Sequence, residues 1–155
     1  MEIRMAKPED IPGLIDLLLQ VGEVHHKIRP DLFRAGARKY DEKALTEILK
    51  DPNRPIFAAV EDETLLGYCF CILEITRDNP VLMDQKSLYI DDLCVDENAR
   101  GKHVGARLYD FAMDYARKIG CDSLTLNVWC GNDSAMKFYE SRGLKQRNIH
   151  MEARL

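Results

Sequence analysis

The run Val95-Asp96-Glu97-Asn98-Ala99-Arg100-Gly101-Lys102-His103-Val104-Gly105-Ala106 leads from the end of an apolar strand, through a basic turn, into a long helix. Downstream, Leu108, Phe111, Ala112, Tyr115 and Ile119 continue from Val104 at helical spacing and trace one buried stripe, which stops at Gly120. Leu124, Leu126 and Val128 then alternate as on a strand. A strand, a crossover helix and a second strand give a parallel pair, so residues 87–95 and 124–128 are expected side by side in the same direction.

Upstream, residues 56–60 and 65–75 read as strands around the turn Glu61-Asp62-Glu63-Thr64, which is a hairpin signal. Residues 77–84 carry Asn79-Pro80 and read as a loop, so three consecutive strands are expected to run antiparallel. Residues 2–6 read as a short strand. Pro8-Glu9-Asp10 opens a helix, with proline in the first turn and acids at the positive end of the dipole. Ile11, Leu14, Ile15, Leu18 and Val21 supply its buried stripe. Residues 22–39 have no steady period and read as an irregular connection or a broken helix, either shaping a substrate mouth or forming ordinary surface. Asp41 caps a short helix with Ala44, Leu45, Ile48 and Leu49 on its apolar face, ending before Pro52. Asn132 starts a last helix, and residues 144–155 read as a closing strand or hairpin. The expected fold is a single mixed α/β domain over residues 1–155.

Composition narrows the function. With 155 residues, 46% of them hydrophobic, the chain suits one compact core. Lys and Arg number 22 against 26 Asp and Glu, a net charge of −4, which gives no general attraction for nucleic acid or an anionic membrane. Mild acidity is compatible with a cationic substrate, and equally with ordinary solubility. Cys69, Cys71, Cys94, Cys121 and Cys130 lack paired C-x-x-C spacing and read as thiols of a reducing compartment. No secretory leader pattern and no apolar run of roughly 18 residues is present, so a cytoplasmic location is expected. His25-His26 has no suitably spaced third ligand, so no metal is expected.

The quoted run can also do chemistry. A helix entrance offers unpaired N–H groups and partial positive charge, a natural cradle for a pyrophosphate, to which Arg100 and Lys102 add charge. Glycine permits close backbone approach. The segment is neither a P-loop nor a dinucleotide fingerprint. It resembles instead the acetyl-CoA signature of the GNAT acetyltransferases, Q/R-x-x-G-x-G/A, as Arg100-Gly101-Lys102-His103-Val104-Gly105, with His103 at the first signature glycine. A second match follows in the family's order: Leu126-Asn127-Val128, then Asn132-Asp133-Ser134-Ala135-Met136-Lys137-Phe138-Tyr139-Glu140-Ser141-Arg142-Gly143-Leu144, which resembles A-x-x-F-Y-x-x-x-G-F/L after an Asn.

The resemblance implies a GNAT acyl-CoA N-acyltransferase fold: mostly antiparallel strands, one central parallel pair splayed for acetyl-CoA, and helices on both faces. It implies an N-acetyltransferase that uses acetyl-CoA and a small-molecule amine, polyamine or amino-acid-like, in a ternary complex, and that is often a homodimer. A protein N-terminus or lysine as acceptor, or a noncatalytic CoA-binding module, are the alternatives. The implied cofactor contacts are Leu93, Cys94 and Val95 on a bulged strand, Arg100 to Ala106 in the cradle, and Asn132, Ala135, Lys137 and Phe138 on the last helix. Tyr139 matches the family's proton donor.

An amine near pKa ~10.4 must lose a proton before it attacks, and a departing thiolate gains from receiving one. The run Tyr89-Ile90-Asp91-Asp92-Leu93 resembles the acidic strand of polyamine-type members. It implies Asp91 as base and Asp92 as substrate contact or structural partner. Adjacent strand residues are expected on opposite faces. His25, His26, Phe33 and Trp129 are candidates for lining the acceptor pocket.

Overall fold

The computed structural model describes residues 1–155. Five strands form one sheet in chain order: β1 (Glu2–Met5), β2 (Ile56–Glu61), β3 (Thr64–Thr76), β4 (Gln85–Val95) and β5 (Ser123–Leu126). The first four are antiparallel neighbours, and β4 and β5 are parallel, as a helical crossover between them requires. That crossover is α3 (Val104–Lys118), which lies on one face and buries Val104, Leu108, Ala112 and Ala116 against Phe57, Cys69, Cys71, Leu88 and Ile90. The other face carries α1 (Ile11–Ile28) and α2 (Glu42–Ile48), packed by Leu14, Leu18, Leu45 and Ile48 on Ile56, Tyr68, Phe70 and Cys94. The last helix is α4 (Asp133–Ser141).

Local chemistry sets the ends. Asp41 caps α2, accepting from the Ala44 N–H at 2.8 Å, and Asn132 caps α4, accepting from the Ala135 N–H at 3.3 Å. Between β2 and β3, Asp62 and Glu63 both take positive φ, 48° and 62°, the backbone of a two-residue turn whose twist matches the strands.

Three expectations change. The first helix continues to Ile28 and does not give way to irregular chain at Gly22. Gly22 is there for packing: a β-carbon on it would sit inside van der Waals contact with the Ala37 carbonyl, because the connection after α1 folds back over the helix. β5 ends at Leu126, before Val128. Residues 144–155 form neither strand nor hairpin, so the parallel pair lies at the sheet edge, not its centre. Ile149 and Met151 stay 76% and 86% exposed, so their alternation finds no apolar face to bury against. Ion pairs tie this segment down, Glu152 to Arg29 at 2.8 Å and Arg154 to Asp31 at 2.9 Å.

Asp10 joins β1 to α1. Its carboxylate takes a two-pronged bond from Arg4, at 2.7 and 2.9 Å, and a third from the Lys7 N–H at 2.7 Å. Burial raises its pKa, but Arg4 and the Lys7 N–H outweigh that and leave it below 3.8. A depressed native pKa means that the unfolded chain protonates first as pH falls. The stabilisation is therefore complete above pH 3.8 and lost as pH falls through the native value. Asp10→Asn should cost about 2 kcal/mol at pH 7 in urea unfolding and flatten the acid limb of stability below about pH 4.

Candidate active site

The site begins with a change of register. Phe70 of β3 pairs with Asp92 and Cys71 pairs with Ile90, leaving Asp91 as an extra residue in β4. The bulge expected at residues 93–95 thus lies at Asp91. It switches the alternation: Leu88 and Ile90 face α3, whereas Cys94 faces α1. Asp92, two residues from Cys94, faces α1 as well, and Asp91 bonds to Tyr40, which packs on that same side. The two acids therefore share a face, contrary to the simple alternation of a regular strand. The β4–β5 pairing also ends here, at Ile90 and Leu126, so Leu93, Cys94 and Val95 pair with β3 but have no strand on the other side.

The carboxylates differ in environment. Both oxygens of Asp91 receive Lys39 Nζ, at 2.6 and 2.7 Å, and Oδ2 also accepts from the Tyr40 hydroxyl at 3.0 Å. Burial pulls the Lys39 ammonium down, but bonding to Asp91 and its charge raise it overall. Asp92 accepts from the Tyr68 hydroxyl at 2.8 Å. Burial raises the Asp92 pKa above 3.8, more than Tyr68 and the nearby His25 and Lys39 lower it. Cys94 lies against the Leu17 carbonyl at 3.6 Å, and burial followed by the charge of Asp92 pushes its thiol up to about 12, which keeps it protonated.

The basic turn stands beside the open edge of β4. Asp96 accepts from the Asn98 N–H at 2.7 Å and starts a single 3-10 turn, Glu97–Ala99, before Arg100 extends and Gly101 takes φ 82°. His103 is the residue before α3, in the left-handed region at φ 58°, and its side chain caps nothing. The first N–H groups of α3 are thereby free of a side-chain acceptor, unlike those of α2 and α4. Arg100, Gly101, Lys102 and His103 are exposed, whereas the Val104 side chain is buried and only its backbone can serve a ligand. A β-carbon on Gly105 would lie 3.4 Å from Val95, 3.8 Å from Leu93 and 4.0 Å from Phe138, which places Gly105 at the mouth of the opening. Ala106 follows in the first turn. Lys102 meets Glu61 at 3.3 Å. These residues fit a diphosphate: a polarised entrance, two cations and no obstructing cap.

Tyr139 leaves α4 toward the same core, with Phe138 at 5.0 Å and Tyr109 at 6.2 Å between ring centres. Burial, then the nearness of Cys69 and Asp92, push its phenol well above the usual value. It is a neutral O–H, and no other side chain or carbonyl of the chain hydrogen-bonds to it. Ala135 supplies the N–H that Asn132 caps, while Lys137 is exposed on α4.

The aromatic candidates meet. His25 and Phe33 lie 5.1 Å apart, Phe33 and Trp129 meet edge-on at 5.1 Å, and His26 Nδ1 is 2.7 Å from the Phe33 carbonyl. They join the end of α1 to the loop before α4, with His25 near Asp92. Lys39, Tyr40 and Arg54 were missed. They sit in segments without periodicity, and nothing in the linear order brings them to Asp91. No group of three His, Cys, Asp or Glu side chains is placed to hold a metal, and no helix is long and apolar enough to cross a membrane.

The profile of the Acetyltransferase (GNAT) family matches residues 22–144. The chain belongs to this family and is an N-acetyltransferase. It is 31% identical over 149 residues to the uncharacterized N-acetyltransferase YhfO of Bacillus subtilis (strain 168), covering 94% of this chain and 91% of that one. It is 28% identical over 97 residues to the glucosamine 6-phosphate N-acetyltransferase of Arabidopsis thaliana, covering 54% of this chain and 63% of the relative's length. Among solved structures, a mutant protein from Bacillus halodurans superposes with a TM-score of 0.95 at 30% identity, over 100% of this chain and 99% of that one.

A left-handed residue with a β-carbon costs about 1–2 kcal/mol, partly offset in glycine by greater entropy loss. His103→Gly should accordingly raise the melting temperature by about 2 °C, and His103→Val should lower it, in a thermal scan.

Proposed function

We propose that this protein transfers the acetyl group of acetyl-CoA to a primary amine of a small cationic molecule, by direct attack in a ternary complex. The observation that carries the reading is the meeting, at one opening of the sheet, of an uncapped basic helix entrance, a neutral half-buried phenol and two carboxylates on one face. Acetyl-CoA supplies the activated acyl group. In this reading Arg100, Lys102 and the backbone of residues 101–106 hold its diphosphate, and the free edge at Leu93, Cys94 and Val95 pairs with its pantetheine arm. A backbone N–H on that edge polarises the thioester carbonyl. Asn132, Ala135, Lys137 and Phe138 flank the arm from α4.

The carboxylates act on the acceptor. Asp91 faces its ammonium, and Asp92, whose proton affinity is raised, shares the proton that the nitrogen gives up before attack. Tyr139 then hands its proton to the departing sulfur, for which a neutral phenol is the required state. His25, Phe33 and Trp129, with His26 bracing the Phe33 carbonyl, form the wall against which the rest of the acceptor lies. The protonated thiol of Cys94 favours direct transfer over a covalent acetyl-cysteine. Free cysteines fit work in a reducing cytoplasm, and a homodimer belongs to the same proposal.

Tyr139→Phe should lower kcat roughly 100-fold with acetyl-CoA affinity within about twofold, measured by thiol release and by calorimetry. Unchanged turnover would remove Tyr139 from the acid role. In the pH dependence of kcat/KM, activity should rise through a limb lying above pH 3.8, since Asp92 must lose its proton to accept one. Asp92→Asn should abolish or displace that limb.

A further inference from the structure

Lys39 lies in the irregular connection between α1 and α2, and its ammonium bonds only Asp91. Its side chain is 47% exposed, whereas the Asp91 carboxylate that it meets is 11% exposed. Its Nζ also lies 5.5 Å from the ring centre of its own neighbour, Tyr40. No other hydrogen bond or ion pair holds the lysine over the acid.

Asp91, by contrast, is positioned without it. Arg54 donates to the Tyr40 oxygen at 2.8 Å, and the Tyr40 hydroxyl donates to Asp91 Oδ2 at 3.0 Å. Tyr40 is fixed in turn by Phe70, 5.6 Å away, and by the Arg54 guanidinium 5.4 Å from its ring. Removal of Lys39 would leave an oriented carboxylate at the point where β4 parts from β5, with one oxygen still hydrogen-bonded and the other bare. A primary alkylammonium held by both oxygens is the same chemical group, in the same kind of contact, as a cationic amine offered from solution.

We propose that Lys39 is an internal competitor: its ammonium fills the subsite on Asp91 that the acceptor's cationic amine takes, and it swings into solvent when the acceptor binds. The inference rests on the reading of Asp91 and Asp92 as the acceptor site. It makes Lys39 a specificity-determining residue. An acceptor that carries a positive charge replaces the contact that Lys39 gives up, whereas a neutral one leaves Asp91 unpaired and is rejected. The connection after α1 thereby sets a threshold that acceptors must exceed, and the threshold depends on one side chain.

The test uses Lys39→Met, which keeps the apolar stem and removes the charge, and Lys39→Arg, which keeps the charge. Binding of 1,4-diaminobutane to the CoA-saturated protein is measured by calorimetry, with 1,4-butanediol as the neutral probe. The diamine should bind Lys39→Met about tenfold more tightly than the parent protein, Lys39→Arg should stay near the parent, and the diol should not distinguish the three. In turnover with acetyl-CoA, KM for the diamine should fall in Lys39→Met with kcat within about twofold. Lys39→Gln repeats the measurement with a polar side chain should the methionine variant fold poorly. Diamine binding that is unchanged or weaker in both uncharged variants overturns the proposal and makes Lys39 a structural tie. A protein that releases no CoA with any amine, yet gains diamine affinity on loss of Lys39, would lose the catalytic reading and keep this one. Turnover of diamines with no response to the Lys39 variants would do the reverse.

Discussion

One additional residue in β4 organises the molecule. Without the bulge at Asp91, between the Ile90 and Asp92 pairings, the alternation begun by Leu88 and Ile90 would continue unbroken, and Asp92 and Cys94 would face α3 as well. The bulge lets Leu88 and Ile90 seal the α3 side and Cys94 seal the α1 side. It also turns two consecutive carboxylates toward the same helices, and it coincides with the last pairing to β5. Packing, charge and the opening of the sheet therefore follow from a single irregularity in register.

Two acids on one face would repel each other and resist burial if each were left alone. The chain answers with different donors. Asp91 receives an ammonium and a phenol, and Asp92 receives a phenol only. The unequal treatment leaves one carboxylate paired with a cation, while burial raises the proton affinity of its neighbour. A symmetric pair could not divide the binding of a cation from the acceptance of its proton.

Most of the architecture was legible because it is written in local periodicity. The stripe from Val104 to Ile119 specified α3, and the strands on either side of it specified the parallel pair. Asp41 and Asn132 announced their caps. Residues 22–28 misled because the apolar stripe of α1 loses its steady period there, although the backbone stays helical to Ile28. Residues 144–155 misled because a short alternation carries no information about whether a sheet face is available to it. Asp91, Asp92 and Tyr139 could be named as candidates from motif and composition. Their arrangement could not, since a bulge has no sequence signature of its own and Lys39, Tyr40 and Arg54 reach Asp91 through tertiary packing alone.

The contrast among helix starts connects the fold to the cofactor side of the site. α2 and α4 spend a side-chain acceptor on their first free N–H groups, through Asp41 and Asn132. α3 does not, and the residue at its start is held in a left-handed conformation that a side chain disfavours. A helix with an uncapped, strained entrance should fray, yet α3 is anchored immediately behind it by Val104 and Leu108, which are almost fully buried. The core thus stabilises an entrance that local chemistry leaves unsatisfied. Glu61 holds Lys102 and the chain's amino terminus, each at 3.3 Å, so the cation beside that entrance is tethered to the β2–β3 hairpin. An anion arriving at the entrance meets free N–H groups already fixed in direction, and the ordering they would otherwise require has been supplied by the hydrophobic packing one turn further along.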